Sequence, residues 1–97
     1  MSTAIPDPPL RRAEVEMEVM PDGSALLYDP ADDRGHVLTA LGALVWDMCD
    51  GTLTTAAMIV DITNMMPTIN AAQIVTDLVA AFQELHLLVS PEGSVAS

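Results

Sequence analysis

The sequence predicts an α+β domain in which a three-stranded antiparallel sheet is followed by three helices. Three observations carry this. Apolar and polar residues alternate at the start, in Glu14-Val15-Glu16-Met17-Glu18-Val19. Turn chemistry then breaks the chain twice, at Met20-Pro21-Asp22-Gly23 and at Asp29-Pro30-Ala31-Asp32-Asp33-Arg34-Gly35. After Thr39 the apolar period becomes helical and stays so for three segments. With 97 residues the chain has room for one domain, and 51% hydrophobic residues against 18% charged is the balance of a chain that folds.

Each element follows from its residues. In a strand over residues 14–19, Val15, Met17 and Val19 share one face and the three glutamates share the other. Pro21 presets the bend and Gly23 tolerates a positive φ, so residues 24–28 return as a second strand. His36-Val37-Leu38 is a short third strand. Leu41, Leu44, Val45 and Met48 then fall on one helical face, with Thr39 as cap and Gly51 as the left-handed stop. Trp46 and Cys49 lie on another side, so this helix is apolar nearly all round and reads as central, with Trp46 a core anchor. A second helix runs over residues 55–65 behind Thr54, and Pro67 ends it. A third runs from residue 71 to about 86, with Asn70 and Gln73 at capping-box spacing. Leu44, Trp46, Leu78 and Leu85 are expected in or near one core, with Met17, Met48, Met58 and Met65 as filler. Residues 1–12 hold three prolines and no period, and read as a flexible arm on which Arg11 and Arg12 are solvated. The domain proper spans 13–89, and 90–97 reads as a loose tail.

Charge excludes several classes. Three arginines, no lysine and 14 acids leave a net charge of −11. A Schiff-base or P-loop lysine is therefore absent. Nucleic-acid affinity comes mainly from cations neutralising phosphates, so nucleic acid is not an expected partner. No apolar run reaches a membrane span, no segment resembles a secretory signal, and the single Cys49 forms no internal disulfide; a cytoplasmic location is expected.

Candidate chemistry is sparse. His36 and His86 stand in no metal-ligand spacing with Cys49, so no metal and no cofactor is expected. Cys49 beside Met48 reads as an inert core thiol, and Glu14, Glu16 and Glu18 as a solvated face. No catalytic constellation is present, and an enzyme is not expected. A sheet with three helices is winged-helix-like, and in many such domains the third helix enters the major groove. Here that helix carries no Lys or Arg, which weighs against DNA binding; the alternative reading is a winged-helix transcriptional regulator acting through protein contacts or DNA. A third reading is an acidic piece of an oligomer without a peptide ligand.

Four segments, taken in order, resemble the PqqD-like peptide-chaperone family, also called the RiPP recognition element. They are Gly23-Ser24-Ala25-Leu26-Leu27-Tyr28-Asp29-Pro30; His36-Val37-Leu38-Thr39 leading into Gly42-Ala43-Leu44-Val45-Trp46-Asp47-Met48-Cys49-Asp50-Gly51; Thr52-Leu53-Thr54-Thr55 with Ile59 and Ile62; and Thr76-Asp77-Leu78-Val79-Ala80-Ala81-Phe82-Gln83-Glu84-Leu85-His86-Leu87-Leu88. The likeness covers roughly two thirds of the chain, from residue 21 to about 88. His86 stands where the family often has Gly.

The resemblance implies a non-catalytic domain that binds the leader of a ribosomally synthesised precursor peptide and presents it to a modifying enzyme. That enzyme would be a radical-SAM protein or lasso-peptide machinery, and the product a natural product. The leader would add as a strand beside the third strand and pack on the third helix. By position, Arg34, Gly35, His36, Val37 and Leu38 would form the receiving edge, and Val75, Leu78, Val79 and Phe82 the helix wall. Asp77 matches a common family position, and its role stays open.

Overall fold

The computed structural model describes residues 8–89. The first seven residues of the expected arm, and the expected tail at 90–97, lie outside them. Three antiparallel strands, β1 (Glu16–Val19), β2 (Ala25–Asp29) and β3 (Arg34–Leu38), form one sheet in the order β1-β2-β3. Three helices follow, α1 (Ala40–Met48), α2 (Thr55–Met65) and α3 (Ala71–Glu84). The predicted α+β architecture is the one observed.

The local chemistry sets the boundaries. At the first turn Gly23 takes φ +93°, its N–H donates to Met20 O at 3.0 Å, and Met20 N–H donates to Ser24 O at 2.8 Å. At the second turn Asp33 sits at φ +54°, and its carboxylate accepts the Tyr28 hydroxyl at 2.6 Å. Thr39, Thr54 and Asn70 cap the three helices, each side-chain oxygen accepting an N–H three residues on. The Gln73 side chain reaches forward along the helix, its amide N–H donating to Asp77, and no hydrogen bond returns from the Asn70 N–H to close a capping box. Helix α3 ends in a Schellman arrangement: Leu87 N–H donates to Phe82 O at 2.9 Å and His86 N–H to Gln83 O at 3.0 Å. The left-handed residue this requires is His86, at φ +61°.

The core lies between the sheet and the helices. The Trp46 and Phe82 rings meet edge to face, centroids 5.2 Å apart at 81°. Leu27, Val45, Met58, Ile62, Val75 and Val79 close around them with no exposed surface. Leu44 and Leu78 pack against this cluster from its margin. Two expected core residues are outside it: Leu85, one residue past α3, and Met65, at the last turn of α2, are both exposed. Each stands at a helix end, where the chain turns away before the side chain can reach the core.

The segment before β1 is not the free arm expected of it. Residues 8–12 are held, not free, and neither arginine is merely solvated. Gly51 N–H donates to Pro9 O, Arg11 N–H to Cys49 O, Arg12 N–H to Leu87 O and Val89 N–H to Leu10 O. The physical reason is the last turn of α1, whose carbonyls have no partner within the helix. Arg11 Nη1 donates to Asp47 O at 2.9 Å and to Trp46 O at 3.4 Å, placing a cation at the negative end of the helix dipole.

Arg12 uses all five of its N–H donors. Nε and Nη2 donate to Glu14 Oε2, Nη1 and Nη2 to the two oxygens of Asp29, and Nη1 to His86 O. Asp29 is only 1% exposed and also accepts Ala31 N–H. Burial pushes its carboxyl pKa up, but the hydrogen bonds from Arg12 and Ala31, and the charges of Arg12 and His36, hold it below the ordinary aspartate value. One guanidinium thus joins the start of the described chain, the end of β2 and the turn after α3.

Candidate functional site

The phase of the sheet decides which backbone groups of β3 are free. In an antiparallel ladder, successive residues aim N–H and C=O to opposite sides. The Met20–Ser24 bond makes that pair a hydrogen-bonded one, so Leu26 and Tyr28 bond toward β1. Ala25, Leu27 and Asp29 therefore bond toward β3, where they face Leu38, His36 and Arg34. Gly35 and Val37 are left with N–H and C=O aimed away from the sheet. Neither main chain has a hydrogen-bond partner outside the ladder among the described residues. Val37 is 80% exposed and Gly35 is exposed, so nothing covers this edge.

Side chains follow the same alternation. Arg34, His36 and Leu38 share the sheet face of buried Ala25, Leu27 and Asp29, the face turned to the helices. Gly35 and Val37 lie on the opposite face with Leu26 and Tyr28. Leu38 and His36 are half-buried, and Arg34 is exposed.

The expected helix wall is mostly core. Val75, Val79 and Phe82 are buried core residues, at 0%, 0% and 2% exposure, and present no surface to a ligand. They belong to the stripe Ala71, Val75, Val79, Phe82 that turns into the core. Of the expected wall, Leu78 alone is partly open. It belongs to a second apolar stripe, Ile74, Leu78, Ala81 and Leu85, of which Ile74 and Leu78 are half-buried and Ala81 and Leu85 exposed. The signal for it was present in the sequence as apolar residues at i, i+4, i+7 and i+11 beside the core stripe.

Gly42 joins the edge to this second stripe. A Cβ there would stand 3.4 Å from Leu38 Cβ and 3.6 Å from Leu78 Cδ2, so those two side chains come within about 7 Å of each other. The free edge of β3 and the half-open face of α3 therefore converge at the first turn of α1. The other sheet edge differs. By the same phase Met17 and Val19 aim outward on β1, but Glu16 and Glu18 flank them, and edge carboxylates oppose strand pairing.

The remaining candidates have simpler places. Cys49 is fully buried, and burial pushes its thiol pKa up to about 12, partly offset by the charge of Arg11. Asp77 is exposed and accepts the Gln73 amide at 2.9 Å. Among the described residues no three His, Cys, Asp or Glu side chains stand together as a metal site. A shallow, open depression at the start of α3, over Asn70, Ala72, Gln73 and Thr76, contains no titratable group. No described helix is long and apolar enough to cross a membrane. No family model matches the chain, and no curated protein or solved structure is significantly similar to it.

Proposed function

We propose that this chain is a non-catalytic peptide chaperone of the PqqD-like kind. It binds the leader of a ribosomally synthesised precursor by strand addition and presents it to a separate modifying enzyme, a radical-SAM protein or lasso-peptide machinery, in the cytoplasm. The observation that carries this reading is the open edge at Gly35 and Val37, meeting the half-exposed stripe of α3 across Gly42. Main-chain groups on such an edge supply affinity for any extended peptide, and the apolar floor supplies register. The order of the resembling segments adds to it. Neither nucleic acid nor membrane is part of this reading: the chain carries −11 net charge, and α3 has no Lys or Arg.

The test uses the leader of the precursor encoded beside the gene, titrated into the labelled protein. Amides of Gly35, Val37 and the Leu78 stripe should shift on binding. Val37→Pro removes an outward N–H, which proline tolerates on an edge, so the variant should fold. It should bind the leader at least about tenfold more weakly, since a main-chain hydrogen bond is lost and the peptide is displaced by the ring. Shifts confined to residues 14–19, with β3 and α3 unmoved, would put the peptide on the wrong edge for this proposal.

A further inference from the structure

Strand addition on β3 also constrains the chemistry of what is added. We infer that the bound peptide carries an acidic residue four positions after an apolar anchor, the anchor facing Leu38 and Leu78 and the acid facing Arg34; this rests on the strand-addition reading above. A ligand strand antiparallel to β3 exchanges main-chain hydrogen bonds opposite Val37 and Gly35. Its residues opposite Leu38, His36 and Arg34 then project to the helix side of the sheet. At one end they meet the half-buried leucines around Gly42, a site for an apolar side chain. Four residues on, roughly 14 Å along the strand, they meet Arg34.

Arg34 is electrostatically anomalous. The other two guanidiniums are committed, Arg11 to the carbonyls ending α1 and Arg12 to Asp29, Glu14 and His86 O. Asp29 is committed to Arg12 and Asp33 to the Tyr28 hydroxyl, and Asp32, two residues before Arg34 in the turn, makes no ion pair with it. In a chain with 14 acids and three arginines, Arg34 is exposed and has no ion-pair partner among the described residues. It stands on the core face of β3, the edge strand that carries no carboxylate. A ligand carboxylate arriving there gains a charge-assisted hydrogen bond with no competing partner to displace. The competing account is that Arg34 only guards the edge against pairing with another copy.

The experiment selects peptides from a display library of random twelve-residue sequences on the full-length protein, then maps each by amide shifts. Peptides that shift Gly35 and Val37 should be enriched in Asp or Glu four positions after Leu, Ile, Val, Phe or Tyr. In a synthetic copy of the best of them, acid→Gln should weaken binding about two- to fivefold at low salt. That loss should vanish in Arg34→Gln, and Arg34→Glu should bind a copy with Lys at that position. Edge-binding peptides without the acid, or an acid→Gln loss of the same size in Arg34→Gln, overturn the ligand chemistry and leave strand addition standing. So does an Arg34→Gln protein that binds unchanged peptides equally well but self-associates through β3. Selected peptides that leave Gly35 and Val37 unmoved overturn strand addition itself.

Discussion

Helix α3 carries two apolar stripes that differ in their surroundings. Ala71, Val75, Val79 and Phe82 are buried in the core that α3 shares with α2 and α1, whereas Ile74, Leu78, Ala81 and Leu85 range from half-buried to exposed. At 100° per residue their centres lie only about 85° apart. The chemistry of the side chains is the same on both. What separates them is where each points: the first stripe turns into the core shared with the other helices, whereas the second turns to the margin of that core beside Gly42 and to solvent. An apolar residue on this helix therefore holds the fold or faces the open groove according to its angular position, not its type.

The largest test of that division is Phe82→Ala. It removes the edge-to-face partner of Trp46 and should cost about 3–5 kcal/mol of folding free energy. In a denaturant titration followed by peptide titration under folding conditions, stability should collapse while affinity per folded molecule holds. An unchanged stability with weakened binding would exchange the roles of the stripes. Leu78→Ala should do the reverse. It should weaken leader binding by about 1–3 kcal/mol and cost roughly 1 kcal/mol of stability or less, because the side chain is only half-buried. A larger loss of stability than of binding in calorimetry would return Leu78 to the core.

Two smaller tests act on the turn that ends α3 and fixes the second stripe. Arg12 grips His86 O and Asp29 together. Asp29 and Glu14 both have folded pKa values below their ordinary ones, Glu14 chiefly through its hydrogen bond from Arg12. Groups shifted down stabilise the fold above their unfolded pKa, and that stabilisation is lost as pH falls through the folded value. Wild type should therefore lose this contribution from about pH 4 downward. Arg12→Met should have a lower melting temperature at neutral pH and a flatter acid limb, since its buried Asp29 gains from protonation. Parallel melting curves for the two proteins between about pH 6 and pH 2 would show that the clamp contributes nothing.

The smallest expected effect is His86→Gly. The residue sits at φ +61°, where a side chain is strained and glycine is not, so the variant should gain about 0.5–1 kcal/mol in a denaturant titration. A loss there would mean that the imidazole itself contributes to the turn.

Local chemistry along the chain sets the order of elements, because alternation, turn residues and caps act over a few residues. Thr39, Thr54 and Asn70 cap the helices they were expected to cap, and Gly23 bends where a positive φ was needed. It also placed Trp46 and Cys49 in the core, since a helix apolar on nearly every side has no solvent face to offer. Tertiary structure decided what depends on a distant partner. Arg11 and Arg12 look solvated in a proline-rich run, and become structural because the carbonyls of α1 and the buried Asp29 lie 17 to 36 positions away. The wall of the groove shifted from Val75, Val79 and Phe82 to the stripe of Leu78, because helical periodicity marks apolar faces without saying which one the packed core leaves uncovered. The outward aim of Gly35 and Val37 came last. It is set by ladder phase, which one hydrogen bond at Met20 fixes for all three strands.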